Sequence, residues 1–414
     1  MKSMFKVDRA REPVIVSYVR TPFGRADNKK GFLRNWRSDD LAIHLLHEMV
    51  KRTGVEPKKI DEVILGAVEL VGEQAHVGRN VAFLAGFPYE VTGLTLERAC
   101  VTPMSAIHVA AMGVMCGMSD VYIAGGLDSM THLGIPVMRA DMDIKEIISK
   151  PGTLMSTQDP NPKLFDMMNP MELTGGVAAE RMAVDYKISR DEMDRWAHQS
   201  HLRAVAAHES GRFKEEIVPI EAHLEDGTKF MMDRDQLPRP DSSLEKIGRL
   251  PTIFQLEDGR INAASSAGQA DGSAVVMVMA REVAERNNLK PLAVIRGMTV
   301  AGCDPTNLVY SSVPASKKVL EKTGIKIDEI DLIECNEAFA CAPIILMKEL
   351  GFNDAERMNP NGGACAIGHP TGATGARLVG HLALELRRRK KRYGLATICG
   401  GYGQGGATII EIES

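Results

Sequence analysis

The sequence predicts an α/β protein built by duplicating one unit, with a long segment inserted into the first copy. Three observations lead there. Short apolar runs alternate with helical periodicity: residues 14–18 read as a buried strand, 39–51 as a helix and 62–70 as a second strand, and the sheet is expected to be mainly parallel. An internal repeat follows. Thr53-Gly54-Val55, then Ile60-Asp61-Glu62-Val63-Ile64, recurs as Thr323-Gly324-Ile325, then Ile330-Asp331-Leu332-Ile333, with the same offset from glycine to Ile-Asp. Each copy leads through a turn-rich loop and a helix to a strand ending in two glycines, Gly125-Gly126 and Gly400-Gly401. So long a period fits two related domains better than a solenoid. The third observation is that residues 128–250, rich in Met, Pro and charge, have no counterpart in the second copy and contain one clear helix at 190–210. The chain therefore divides into 1–127, an inserted cap at 128–250, a return at 251–285 and a second half at 286–414.

A chain of 414 residues with 44% apolar content can bury more than one core. Its net charge of −4 and pI near 6.3 leave no electrostatic footprint for nucleic acid, and no apolar run is expected to span a membrane. The seven cysteines are odd in number and lack a C-x-x-C pair, so neither a disulfide framework nor a zinc site is expected. Reduced thiols, and an N-terminal stretch without an apolar core, point to the cytoplasm.

Chemistry concentrates in four places. His369 lies among glycines in the stretch 359–377, ahead of helical periodicity at 374–392, so its imidazole sits in a loop feeding a helix N-terminus. A glycine-rich turn whose histidine bonds its own backbone is the competing reading. Cys100 precedes a helix expected to run to about Met118, with Pro103 suited to the first turn. The positive helix end is expected to lower its pKa, and His369 to accept its proton; a buried structural cysteine is the alternative. The repeat aligns the two, since Cys100 falls 39 residues after Asp61 and His369 falls 38 after Asp331. Packed about a pseudo-twofold, those loops face each other. Asn336-Glu337-Ala338-Phe339 follows a strand, where sites of α/β sheets form, although Asn336 could equally be a helix N-cap. Cys399 precedes Gly400-Gly401-Tyr402-Gly403-Gln404-Gly405, yet the segment 407–412 reads as a strand, which removes the dinucleotide-binding reading of these glycines.

Taken together, Cys100 in its helix-entry loop, Asn336-Glu337-Ala338-Phe339, Gly368-His369-Pro370 and Cys399-Gly400-Gly401 make the sequence resemble the thiolases over nearly its whole length. The resemblance implies a thiolase-like five-layered αβαβα duplication with an inserted loop domain. It also implies roles. Cys100 is the acylated nucleophile, His369 its activator and Cys399 the second acid/base. Asn336 holds a water that forms one oxyanion hole with His369, and the amides of Cys100 and Gly401 form the other. Within the family, Arg20-Thr-Pro-Phe-Gly-Arg25, Gly125-Gly-Leu-Asp-Ser-Met130-Thr-His132, Gly302-Cys-Asp-Pro305 and Val313-Pro-Ala-Ser-Lys317 are most similar to degradative 3-ketoacyl-CoA thiolases of fatty-acid β-oxidation. Coenzyme A is then a substrate, with no permanently bound cofactor. Arg239 matches a family arginine near the adenine end of CoA, and Ser266 a pantetheine contact. Departures occur after the nucleophile, at Val101 and Pro103, and at Gly175-Gly-Val-Ala-Ala-Glu180, where relatives carry Met-Gly-x-Thr-Ala-Glu.

Other signals are set aside. His198 and His201 lie one turn apart but lack a third ligand, so they read as a surface pair. Arg387-Arg-Arg-Lys-Lys-Arg392 ends a helix and reads as a solvated run. Cys116, Cys303, Cys341 and Cys365 read as buried structural cysteines, and the methionines across 130–193 as packing for the cap or for an oligomer interface. A biosynthetic, acetoacetyl-CoA-forming thiolase and a non-catalytic acyl-CoA-binding subunit remain as alternatives. By the resemblance, the chain forms a homodimer or homotetramer, with association to a β-oxidation multienzyme subunit as a further option.

Overall fold

The computed structural model describes residues 2–134, 163, 167 and 169–413. Its strands are β1 (Pro13–Arg20), β2 (Gly24–Arg25), β3 (Glu62–Gly66), β4 (Thr92–Leu96), β5 (Val121–Ser129), β6 (Ile220–His223), β7 (Lys229–Met232), β8 (Ala270–Ala280), β9 (Ala293–Gly302), β10 (Leu332–Cys335), β11 (Tyr393–Gly400) and β12 (Gln404–Glu411). The longer described helices are α1 (Ser38–Thr53), α2 (Val77–Leu84), α3 (Thr102–Cys116), α4 (Gly175–Asp185), α5 (Arg190–Glu209), α6 (Ser312–Thr323), α7 (Cys341–Leu350) and α8 (Thr371–Arg389).

The repeat is visible as topology. One half orders its strands β4-β3-β5-β8-β1 and the other β10-β11-β12-β9. The place matching β4 is reduced to a single parallel bridge between Ile333 and Met358. The halves meet edge to edge, through only Val14 with Val294 and Ile15 with Ala293. The repeated residues repeat their jobs too. Gly54 and Gly324 end α1 and α6 in the left-handed region, at φ 68° and 67°. Asp61 accepts the amides of Asp120 and Val121 at the start of β5, and Asp331 those of Arg392 and Tyr393 at the start of β11.

The expected mainly parallel sheet is instead mixed. Only β3–β4, β3–β5 and β10–β11 are parallel; β8 and β12 run antiparallel to both their neighbours. The reason is connectivity: the three residues Gly401–Gly403 turn β11 straight back into β12, and a turn that short can only make an antiparallel pair. In the first half the inserted segment occupies the place of that turn. β5 also continues past the expected start of the insertion at 128, because Leu127, Asp128 and Ser129 still pair with Ser273, Gly272 and Asp271. Conversely, the strand expected at 62–70 stops at Gly66.

Five layers result. α1 and α2 cover the outer face of the first sheet and α6, with α7 against it, that of the second. α3 and α8 lie against each other between the sheets, touching β5 and β8 on one side and β12 on the other. This explains a composition the sequence reading underrated: Ala99–Cys116 is long and apolar enough to cross a membrane. A helix between two sheets is apolar all round for the same reason as one in lipid. Here Met104, Ile107, Ala110, Ala111 and Val114 are fully buried.

The inserted segment is tied down by charge. Buried Arg20, at the end of β1, bonds Glu216 at 2.7 Å and Asp235 at 2.6 Å, and Glu216 also bonds His381 of α8 at 2.7 Å. Burial opposes ionisation of Glu216, but the charges of His381 and Arg20 outweigh it and hold its carboxyl at about 2. Of the nine methionines across 130–193, Met138, Met142, Met155 and Met168 lie outside the described residues; of the others, Met130, Met182 and Met193 are buried.

Candidate active site

α3 and α8 start side by side. A Cβ on Gly375, in the first turns of α8, would lie 2.7 Å from the backbone nitrogen of Met104 and 3.0 Å from Pro103 Cγ. The loops that feed these helices, carrying Cys100 and His369, are therefore neighbours. Asp128, buried at the end of β5, fixes one to the frame: its carboxylate accepts the hydroxyl of Thr371, the amide of Gly372 and the amide of Val68. Burial pushes this carboxyl up to about 7.

His369 is buried and its orientation can be read from its partners. Thr374 donates its single hydroxyl proton to Pro370 O at 2.8 Å, so at 2.6 Å from His369 Nδ1 it must accept. Nδ1 then carries the proton, and Nε2 presents a lone pair. That Nε2 lies 3.4 Å from Asn336 Nδ2. Burial, followed by the charge of Arg377, lowers the imidazole pKa to about 4, so the ring is neutral at pH 7. Gly368 makes the approach possible: at φ +91° it puts the backbone where a Cβ would lie 2.9 Å from Ala270 Cβ.

A pH profile should show this. kcat/KM is expected to hold well below pH 6.5 and to fall as pH approaches about 4, where the imidazole takes up a proton and stops being a base. Stability shifts with the same sign: between 6.5 and 4 the unfolded chain protonates first, so acidification disfavours the folded state. An acid limb at 6.5 in the rate profile would mean that the ring is not enclosed as described.

Cys100 follows Ala99, whose φ of 44° is unusual for a residue with a side chain and turns the thiol back toward the second half. Its sulfur accepts the amide of Gly401. The expectation that the helix end lowers its pKa fails. Burial raises the thiol to about 12, and the Gly401 amide offsets only part of that. A helix N-terminus cannot compensate for loss of water around a thiolate, so the thiol needs a proton acceptor. The bulky residues after it fit because glycines face them: Cβ atoms on Gly400 and Gly406 would lie 2.8 and 2.5 Å from the Val101 methyls, and one on Gly66 would lie 1.9 Å from Thr102 Cγ2.

Cys399 pairs with Gly405 at the end of β11 and is buried. Burial raises its pKa, and the charge of a Cys100 thiolate raises it further. The two cysteines lie on touching segments, since a Cβ on Gly400 would lie 2.8 Å from a Val101 methyl. Two such groups cannot both ionise, so a proton leaving one has the other within electrostatic reach.

Asn336 is not a helix N-cap, since α7 begins only at Cys341 behind Ala340. It lies in the loop after β10. The next residue, Glu337, supports it: its carboxylate accepts Trp196 Nε1 at 2.9 Å, Ser200 Oγ at 2.7 Å, Asn359 Nδ2 at 2.8 Å and the Cys365 amide at 3.2 Å. The cap helix α5 is thus bonded to the residue beside Asn336. Ser266 is buried on the same wall, bridged to Phe339, while Ala267 N bonds Ala338 O and His369 N bonds Gly268 O. Arg239 stands apart and exposed, its amide donating to His201 Nδ1 at 3.2 Å.

Three minor readings change. His201 is buried, and half-buried His198 bonds Ser242, so they form no surface pair; among the described residues no group is arranged to hold a metal. Cys116 is exposed and Cys303 half-buried, whereas Cys341 and Cys365 are buried as expected. Thr374 and Asp128 were missed. Their signals were slight: a Thr five residues after His369, and an acid after a glycine pair.

The family description "Thiolase, N-terminal domain" matches residues 13–282 and "Thiolase, C-terminal domain" matches 289–412. The chain belongs to the thiolase family. It is 38% identical over 403 residues to a 3-ketoacyl-CoA thiolase of Pseudoalteromonas translucida, covering 96% of this chain and 98% of that one. Among solved structures it resembles the Bacillus anthracis acetyl-CoA acetyltransferase (37% identity, TM-score 0.85, 99% of this chain and 100% of that one). It is also similar to human mitochondrial 3-ketoacyl-CoA thiolase in complex with CoA (32%, TM-score 0.84, 98% of each chain). The thiolase fold expected from sequence is the one found.

Proposed function

We propose that this thiolase cleaves 3-ketoacyl-CoA with coenzyme A, giving acetyl-CoA and a shortened acyl-CoA through an acyl group carried on Cys100. Coenzyme A is a substrate in this reading and no permanently bound cofactor takes part. His369 Nε2 takes the Cys100 proton, and the thiolate bonds to the keto carbon. The bond between C2 and C3 then breaks, and Cys399 protonates the acetyl-CoA enolate that leaves. Cys399, now a thiolate, deprotonates incoming CoA, whose sulfur collects the acyl group and frees Cys100. Asn336, through a held water, and His369 stabilise one developing oxyanion; the amides of Cys100 and Gly401 stabilise the other. The observation that supports the reading is the pair of neighbouring thiols, half-buried Cys100 and buried Cys399, with the Gly401 amide on the first. A protein that only bound acyl-CoA would need neither thiol.

Ser266, on the wall beside His369, and exposed Arg239 are assigned to pantetheine and to the adenine end of CoA. The domain limits expected at 1–127, 128–250, 251–285 and 286–414 are kept except the first, which moves to 129 because β5 runs to Ser129; the protein is assigned to the cytoplasm as a homodimer or homotetramer, open to a multienzyme partner. Pairing of copies is supported at β4, a sheet edge where Leu94 is exposed beside exposed Phe83, Leu84 and Tyr89. The biosynthetic reading has one likeness behind it, to an acetyl-CoA acetyltransferase, against the likeness to 3-ketoacyl-CoA thiolases that supports cleavage. CoA-dependent cleavage rates for 3-ketoacyl-CoAs from four carbons upward separate the two.

Incubation with acyl-CoA followed by peptide mass mapping is expected to place the acyl group on Cys100. An adduct on Cys399 or Cys365, with Cys100 unmodified, would refute the assignment.

A further inference from the structure

Two residues with side chains adopt left-handed backbone on either side of the contact between Cys100 and Gly401: Ala99, at φ 44°, and Tyr402, at φ 59° and ψ 26°. For an aromatic residue this conformation is a real outlier, and glycines stand on both sides of it that would take it at no steric cost. Strain of this kind persists where it serves a site. Packing does not account for keeping the ring, since Tyr402 remains 39% exposed.

Its position says which part of a substrate it meets. Tyr402 follows the residue whose amide reaches the Cys100 sulfur, and a Cβ on Gly401 would lie 3.2 Å from Ala99 Cβ, so the turn Gly401–Gly403 sits directly on the nucleophile loop. The amides of Gly401 and Cys100 are the pair assigned above to the oxyanion of the acyl group on Cys100, so the turn that carries Tyr402 lies beside the acyl end of a substrate.

We propose that Tyr402 is a specificity-determining residue, its ring forming one wall for the acyl chain and favouring long apolar acyl groups over the acetoacetyl group. The proposal rests on the acyl-transfer reading given above. Two variants test it: Tyr402→Gly, which takes the turn without strain, and Tyr402→Phe, which keeps the ring. The measurements are kcat/KM for 3-ketoacyl-CoAs of four and ten carbons and, separately, the rates at which acetyl-CoA and decanoyl-CoA label Cys100.

In Tyr402→Gly the long-over-short ratio is expected to fall about tenfold in both measurements, the scale of one lost aromatic contact, while the four-carbon rate stays within about threefold and melting within about 3 °C. Tyr402→Phe is expected to keep the wild-type ratio. An unchanged ratio in Tyr402→Gly, or equal loss on every substrate, would overturn the proposal, the second because the turn would then only support Gly401. Loss in Tyr402→Phe equal to that in Tyr402→Gly would also overturn it, by assigning the effect to the hydroxyl. Labelling by saturated acyl-CoA requires no carbon–carbon cleavage. If the wild type labels but cleaves no ketoacyl-CoA, the degradative reading fails and the labelling ratios still decide the role of Tyr402; a wild type that labels with neither acyl-CoA overturns both.

Discussion

His369→Ala is expected to lower turnover at least about a hundredfold while the fold survives. Two losses combine. The Cys100 thiol, held near 12, has almost no thiolate at neutral pH, and the neutral Nε2 lone pair is the group proposed to take its proton. Removing a general base typically costs about 10²–10⁴ in rate, and removing an oxyanion donor about 10²–10³. The backbone remains anchored, because the bond from His369 N to Gly268 O and that from Thr374 Oγ1 to Pro370 O do not involve the ring. Steady-state turnover and melting temperature together check this. Activity within a few fold of wild type would make the histidine structural, the glycine-turn reading of its sequence.

Cys399→Ala is expected to separate the half-reactions. Transferring an acyl group from a saturated acyl-CoA to Cys100 forms no carbanion, and the CoA thiolate it releases is a far weaker base than an enolate, so that step depends much less on the acid assigned to Cys399. Cleavage of a ketoacyl-CoA needs it, because the acetyl-CoA enolate must be protonated as it leaves. The variant should still label at Cys100 but lose ketoacyl cleavage by at least about 10², the low end for a general acid–base group. The change removes one buried sulfur at the end of β11, with Gly400 and Gly401 left in place. Equal loss of both activities, or of neither, would show that Cys399 does not have this role.

Much of this was legible in sequence wherever the cause is local. Gly54 and Gly324 were found as a repeat because each ends a helix, and Asp61 and Asp331 because each caps the first amides of a later strand; such tasks demand one residue type at a fixed spacing. Equivalent positions then placed Cys100 and His369 at facing helix entries before any contact was known. Thr374 was overlooked although it lies only five residues from His369, because a hydroxyl in a helix's first turn has many local uses and only the imidazole above it selects one. Glu337 was noticed as part of a motif, but its partners Trp196, Ser200, Asn359 and Cys365 are scattered over more than a hundred residues.

What the sequence determined by itself was the duplicated α/β plan and the thiolase likeness, and it singled out the insertion and the set Cys100, Asn336, His369, Cys399 and Gly401 that the proposed mechanism uses. What only the tertiary structure decided was direction and degree. Strand direction followed from the short turn Gly401–Gly403, not from strand composition. The Cys100 pKa rises rather than falls, because desolvation depends on everything that surrounds a sulfur, whereas a helix dipole can be read from one segment. The protonated nitrogen of His369 was fixed by Thr374 and Pro370 together. Spacing along a chain records what each residue does to its near neighbours; burial and charge are sums over neighbours that folding alone brings together.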